Sequence, residues 1–351
     1  MAHQVGIVGA SGYGGVELLR LVDAHPALDV AVVAAHSQAG ERVDTLFPNL
    51  PGPRVFDAID AAQLAGLDLV FLATPHGPAL ELGADLARRG TPVVDLSAAF
   101  RLPVDGFARW YGEEHPAPEL APHADGSHGG ERAAYGFPEH TRDVVRGARL
   151  VANPGCYPTA ALTGLVPLAP LFVPGTVVID AKSGTSGAGR AASDTLHFSH
   201  VHGDLVAYGA PGHRHTGEIE HWLAVLGGRD LGPVSFTPHL VPMARGLLAT
   251  SYAGLADGVT ADDVQDALAS AYADEPFVAV LPPGTFPHTK ALAGSNGVQV
   301  SAVVDERTRR VVVTAAEDNL GKGAAGQALQ NANLLLGLDE TTGLTAIGVY
   351  P

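Results

Sequence analysis

The chain has 351 residues, 46% hydrophobic and 17% charged, a length and balance that suit two globular domains with sizeable cores. Its formal net charge is −16 with no basic cluster, which argues against nucleic acid and anionic membranes as partners. One cysteine excludes an intramolecular disulfide and suits a reducing compartment. No apolar run approaches the ~18 residues of a membrane span, and the N-terminal Met-Ala-His-Gln-Val runs straight into a strand pattern, so no signal peptide is expected.

Residues 4–9 read as a buried strand and Tyr13 to Ala24 as a helix, joined by Gly9-Ala-Ser-Gly-Tyr-Gly-Gly15. A glycine-rich turn between a first strand and a helix is the dinucleotide-binding arrangement. Glycines permit the tight turn and the close approach of a pyrophosphate, which then sits on the helix N-terminus. Leu28 to Ala35 is the second strand, followed by His36-Ser37-Gln38 with no acidic residue to hold a ribose 2′-hydroxyl, which favours NADP over NAD. Strands at 68–74 and 91–96 follow, with a helix from Pro78 to Arg89 between them. Their carboxyl ends, Thr74-Pro75 and Asp95-Leu-Ser97, are expected to line the cofactor crevice. Residues 103–138 read as a long connection whose histidines (His115, His123, His128 and His140) mostly face solvent, in spacings unlike a metal site.

The only cysteine stands in Val151-Ala-Asn-Pro-Gly-Cys-Tyr-Pro-Thr159, on a Pro-Gly turn between a short strand and a helix. The unpaired N–H groups and positive pole of a helix start stabilise a thiolate, the nucleophilic form. A strand at 175–181 leads into Lys182-Ser-Gly-Thr-Ser-Gly-Ala-Gly-Arg190, whose amides, hydroxyls and cations suit a phosphate or a nicotinamide carboxamide. Next comes Gly209-Ala-Pro-Gly-His-Arg-His-Thr-Gly-Glu-Ile-Glu220. His213 and His215, two apart in an extended segment, are expected to point to one side ahead of a helix from Thr216. Glu218 is placed to orient an imidazole, and one histidine to act as general acid/base. Alternating runs at 234–241, 246–253, 278–281, 298–304 and 310–315, with a helix from Thr260 to Tyr272, suggest a mostly antiparallel sheet with helices on one face. Arg245 is a candidate for a substrate carboxylate or phosphate. Asp318-Asn-Leu-Gly-Lys-Gly323 precedes a last helix, Ala324 to Leu336, and is positioned to return towards the nicotinamide.

The glycine turn, the cysteine, Lys182–Arg190, histidine and Asp318–Gly323 motifs, with Pro238-His-Leu-Val-Pro-Met-Ala-Arg-Gly246 as a sixth, occur in one order nearly end to end and resemble the N-acetyl-γ-glutamyl-phosphate reductase family, akin in plan to aspartate-semialdehyde and glyceraldehyde-phosphate dehydrogenases. The resemblance implies an α/β chain. An N-terminal doubly wound NADP-binding domain (1–152, completed by 319–351) is joined to an α+β catalytic and dimerisation domain (153–318). It implies a cytoplasmic homo-oligomer, dimer or tetramer, acting on a small acyl phosphate. It puts the nucleophile at Cys156 and acid/base and orienting work on His213, His215 and Glu218. Gly9, Ser11, Gly12, Tyr13, Gly14, Ser37, Thr74, Pro75, Ser186, Gly187 and Asn319 fall to the cofactor. Asn153, Ser183, Gly184 and Arg245 fall to the substrate, and no metal is expected. Two rival readings are a reductase of the one-carbon-longer aminoadipyl phosphate of lysine biosynthesis and a non-catalytic NADP-binding sensor.

Overall fold

The structure, a computed structural model, describes residues 2–129 and 131–350. It forms two compact units, Met1–Gly155 with Ala324–Leu344, and Cys156–Gly323 with Thr345–Pro351.

In the first unit β1 (His3–Val8), α1 (Tyr13–Asp23), β2 (Leu28–Ala34), β3 (Leu69–Leu72), α2 (His76–Arg88) and β4 (Val93–Asp95) follow the expected alternation. Next come α3 (Val104–Tyr111), β5 (Ala134–Tyr135), α4 (Pro138–Arg146) and β6 (Leu150–Ala152). Among the described residues the six strands pair in parallel, in the order β2-β1-β3-β4-β6-β5. Both faces are covered, and the sequence shows why. In β1 and β3, Val5, Ile7, Leu69 and Phe71 enter one apolar cluster while Val8, Val70 and Leu72 enter the other. A strand buried on both faces must be apolar at every position, so period 2 divides one apolar run between two cores. The C-terminal helix Gly326–Leu335 packs into the first of these clusters through Ala328, Leu329 and Ala332.

The connection at 103–138 is more ordered than its composition suggests. It holds α3, and His115 is buried rather than solvent-facing. His115 Nδ1 accepts from Ala117 N at 3.1 Å, and the ring lies 4.8 Å from that of Phe107.

The second unit opens with α5 (Cys156–Leu165), buried from Tyr157 through Leu165. Its strands are β7 (Val178–Gly184), β8 (Val206–Ala207), β9 (Ser235–Val241), β10 (Leu247–Gly254), β11 (Val278–Val280), β12 (Val298–Asp305) and β13 (Arg310–Glu317), with α6 (His215–Leu226) and α7 (Ala261–Ala271) between them. The order is β11-β12-β13-β10-β7-β9-β8. The expectation of a mostly antiparallel sheet needs correction. The sheet is mixed, antiparallel in part, with β7–β9 and β11–β12 running parallel. Strand direction depends on the path between strands, and alternation along each strand carries no record of it. Helix α5 packs on β10 and β13. Gly164 allows the close approach, since a Cβ there would lie 2.8 Å from Val313 Cγ1.

Candidate active site

In the first unit the predicted cofactor residues gather where strand order reverses. β2 lies on one side of β1 and β3 on the other, so the carboxyl ends of β1 and β3 flank the crevice that binds ligands in open parallel sheets. Gly9 leaves β1 with φ +83, and a Cβ there would stand 2.5 Å from Ala73 O, against Thr74. Gly15 lets α1 close on the turn, since its Cβ would meet Gly9 O at 2.3 Å.

Three observations fit a dinucleotide. Gly12, the N-cap of α1, brings no side chain to cap the first-turn N–H groups, and Gly14 faces open space. The buried Thr74 hydroxyl has no hydrogen-bond partner. Ser11, Tyr13 and Pro75 stand on the same turns, and Ser37 is exposed beyond the end of β2. Arg42 is held by Asp44, Nε to Oδ1 at 2.9 Å, and by Gly52 O.

Asn153 is fully buried. It accepts from Asn331 Nδ2 at 3.0 Å and donates to Ala324 O at 3.3 Å, while its carbonyl accepts from Arg101 Nε at 2.8 Å. Its side chain therefore anchors the turn that leads to the cysteine. Nearby, burial pushes the Asp95 carboxyl up to about 6, against hydrogen bonds from Ser97.

In the second unit Cys156 is the first residue of α5 and half-buried. Around the start of that helix lies a cluster of rings. Tyr157 sits 5.8 Å from His213, 5.9 Å from His215 and 5.3 Å from Phe236, with His213 and His215 4.9 Å apart. The Tyr157 and Tyr208 hydroxyls are 3.1 Å apart. Burial, reinforced by the Tyr208 hydroxyl and by Cys156, raises the Tyr157 phenol above the usual tyrosine value, so it stays a protonated hydroxyl.

The two histidines come together by a route other than the expected one. The segment is a turn, not an extended run. Arg214 is helical, His215 is the first residue of α6, and its N–H donates to His213 Nδ1 at 3.2 Å. Burial and the adjacent Arg214 charge push His213 down to about 4, so it is a neutral imidazole at pH 7. Glu218 is buried on the first turn of α6.

Of the remaining predicted residues, Ser186, Gly187 and Arg245 meet Asp318 and Asn319, while Ser183 and Gly184 lie beside them at the end of β7. Asn319 donates to Ser186 Oγ at 2.9 Å and accepts from Gly246 N at 2.8 Å. Gly187 lies close enough that a Cβ would meet Ser183 Oγ at 3.0 Å. Gly184 lies against the carbonyls of Met243 and Ala244. Arg245 Nε donates to Asp318 Oδ2 at 2.9 Å. That buried carboxylate also accepts from the N–H groups of Gly294, Leu320 and Gly321, which satisfies a charge otherwise costly to bury.

Sequence reasoning passed over Tyr157, Tyr208, Asp318 and Gly323. Three of them stand inside motifs it had singled out. Tyr208 lies in an exposed stretch and gave no signal.

Comparison with known proteins accords with this geometry. Residues 4–148 match the family model described as semialdehyde dehydrogenase, NAD binding domain, and residues 156–319 match semialdehyde dehydrogenase, dimerisation domain. N-acetyl-gamma-glutamyl-phosphate reductase of Desulforudis audaxviator (strain MP104C) is 47% identical, covering 99% of each chain. N-acetyl-gamma-glutamyl-phosphate reductase 1 of Pseudomonas putida (strain KT2440) is 45% identical with the same coverage. Aspartate semialdehyde dehydrogenase II of Vibrio cholerae, solved with ASA, shares the fold at TM-score 0.71 and 15% identity, over 96% of this chain and 98% of that one. The enzyme of Candida albicans, solved with NADP, gives TM-score 0.67 at 17% identity, over 96% and 99%. Identity this high along almost the whole length goes beyond shared architecture: the chain belongs to the N-acetyl-gamma-glutamyl-phosphate reductase family, within the semialdehyde dehydrogenases.

Proposed function

We propose that this chain carries out the NADPH-dependent reductive dephosphorylation of N-acetyl-γ-glutamyl phosphate to N-acetylglutamate 5-semialdehyde, a step of arginine biosynthesis. The observation that carries the reading is Cys156 at the start of a buried helix, followed by Tyr157, whose ring lies 5.8 Å from that of His213 and 5.9 Å from that of His215. The relatives named for this activity support the substrate.

His213 or His215 takes the thiol proton, and the Cys156 sulfur attacks the acyl carbon. The C–O bond to phosphate breaks and a thioester remains. Amides and hydroxyls of Ser183, Gly184, Ser186 and Gly187, with Arg245, receive the departing phosphate and the substrate's anionic end. NADPH, when bound, supplies a hydride to the thioester carbonyl. The tetrahedral hemithioacetal then collapses to the aldehyde, and the imidazolium returns the proton to sulfur. Glu218 orients the histidines. Gly9, Ser11, Gly12, Tyr13, Gly14, Ser37, Thr74 and Pro75 bind the dinucleotide, joined by Ser186, Gly187 and Asn319, the last also holding the 183–189 loop through Ser186.

In this reading residues 1–152, completed by 319–351, are the cofactor domain, and 153–318 catalyse and associate. The enzyme is a cytoplasmic homo-oligomer, dimer or tetramer. The test runs the reaction backwards: NADP⁺ reduction with phosphate and either N-acetylglutamate 5-semialdehyde or its one-carbon-longer homologue. Turnover of the first alone is expected. Turnover of the longer aldehyde alone would move the enzyme to the aminoadipyl substrate.

A further inference from the structure

Gly323 is the middle residue of a π-helical turn, Gly321–Ala325, and its N–H donates to Asp318 O at 3.0 Å. Its φ is not in the left-handed region, so its backbone would accept alanine without strain. What excludes a side chain is space. A Cβ at Gly323 would stand 2.7 Å from Cys156 Cβ and 3.3 Å from Cys156 Cα on one side, and 2.6 Å from Glu317 Oε1 on the other. The Cys156 wall does not give easily. The Cβ of Cys156 is fixed by the backbone of α5, and Glu317 is fully buried at the end of β13. Lys322, next to the glycine, is fully buried as well, with Nζ 5.8 Å from the Phe277 ring centroid.

We propose that Gly323 is a positioning residue of the reaction: the absence of a side chain there is the space that lets the Cys156 sulfur stand where the acyl carbon is presented. This rests on the thioester reading. A methyl group at 323 pushes either the nucleophile or the Glu317 carboxylate, and a nucleophile displaced by about 1 Å can lose about 10²-fold in rate.

The test is Gly323→Ala, read in two independent ways. In turnover, kcat is expected to fall about 10²-fold with KM held within about threefold, since the displacement falls on the nucleophile. In the absence of substrate, the rate of Cys156 alkylation by iodoacetamide is followed from pH 5 to 10, and its midpoint is expected to shift. A structural glycine that merely packs would lower the melting temperature and leave both readouts near the wild type, and that outcome overturns the proposal. If Gly323→Ala is insoluble, Gly323→Ala with Glu317→Asp relieves one wall and leaves the cysteine as the remaining clash. Soluble protein with low kcat and shifted alkylation supports the proposal. Wild-type values, or failure of both variants to fold, overturn it. Alkylation needs no substrate, so an inactive wild type would sink the thioester reading without deciding the question at Gly323.

Discussion

Cys156→Ser keeps the start of α5 and removes the thiolate. Turnover is expected to drop by at least about 10³-fold while NADPH binding, followed by its fluorescence, stays within twofold or so. Full activity in the variant would mean that no thioester forms, and a non-catalytic NADP sensor would need no cysteine at all. A second residue-scale effect concerns pH. His221 lies on α6 with Nε2 buried and unpartnered, and burial pushes it down to about 4. Its folded value lies below the ordinary 6.5, so the unfolded chain binds more protons between about pH 6.5 and 4, and stability is lost as pH falls through that window. Asp95 works the other way. Its folded value of about 6 lies above the ordinary 3.8, so its contribution is lost as pH rises. The raw curve mixes the two signs and only a difference is diagnostic. His221→Gln should lose less melting temperature than the wild type between pH 6.5 and 4.5, and parallel curves would show that the imidazole is not desolvated.

At the scale of elements, the strand–turn–helix units were the most legible part of the sequence. β1, α1 and β2 lie within a residue or so of where glycine spacing and apolar runs put them, because a buried parallel strand and an amphipathic helix leave different periodicities. Gly15 shows how a sequence motif becomes packing: its hydrogen is all that separates α1 from Gly9 O. Gly15→Ala should weaken NADPH binding about tenfold or more by tilting the helix start away from the pyrophosphate, measurable by fluorescence titration. Unchanged affinity would mean that the dinucleotide does not use this turn. Elements whose signal was mixed were lost. α3 and α4 lie in stretches rich in Pro, Gly and His, and α4 starts on Pro138 with a non-helical Thr141 inside it. The histidine pair was placed correctly for the wrong local reason, since a turn closed by His213 Nδ1, not an extended run, brings the rings to 4.9 Å.

For the molecule as a whole, the match of 156–319 to a dimerisation domain predicts association. Light scattering of the purified chain should give at least twice the monomer mass, and a strict monomer at micromolar concentration would remove the second unit from that role. Among the described residues no helix is long and apolar enough to cross a membrane. The amino-acid order alone determined the doubly wound plan, the glycine-rich turn after the first strand and the place of the cysteine at a helix start, because each is a local matter: a glycine count, a period, a Pro-Gly turn before a helical run. Tertiary structure alone decided the parallel pairs in the second sheet, the burial that holds His213 neutral, the Tyr157–Tyr208 contact and the space at Gly323 shared by Cys156 and Glu317. Residues 156, 317 and 323 are brought together by a sheet, a helix and a turn, and desolvation depends on everything packed around a group, so neither leaves a mark in the spacing of residues along the chain.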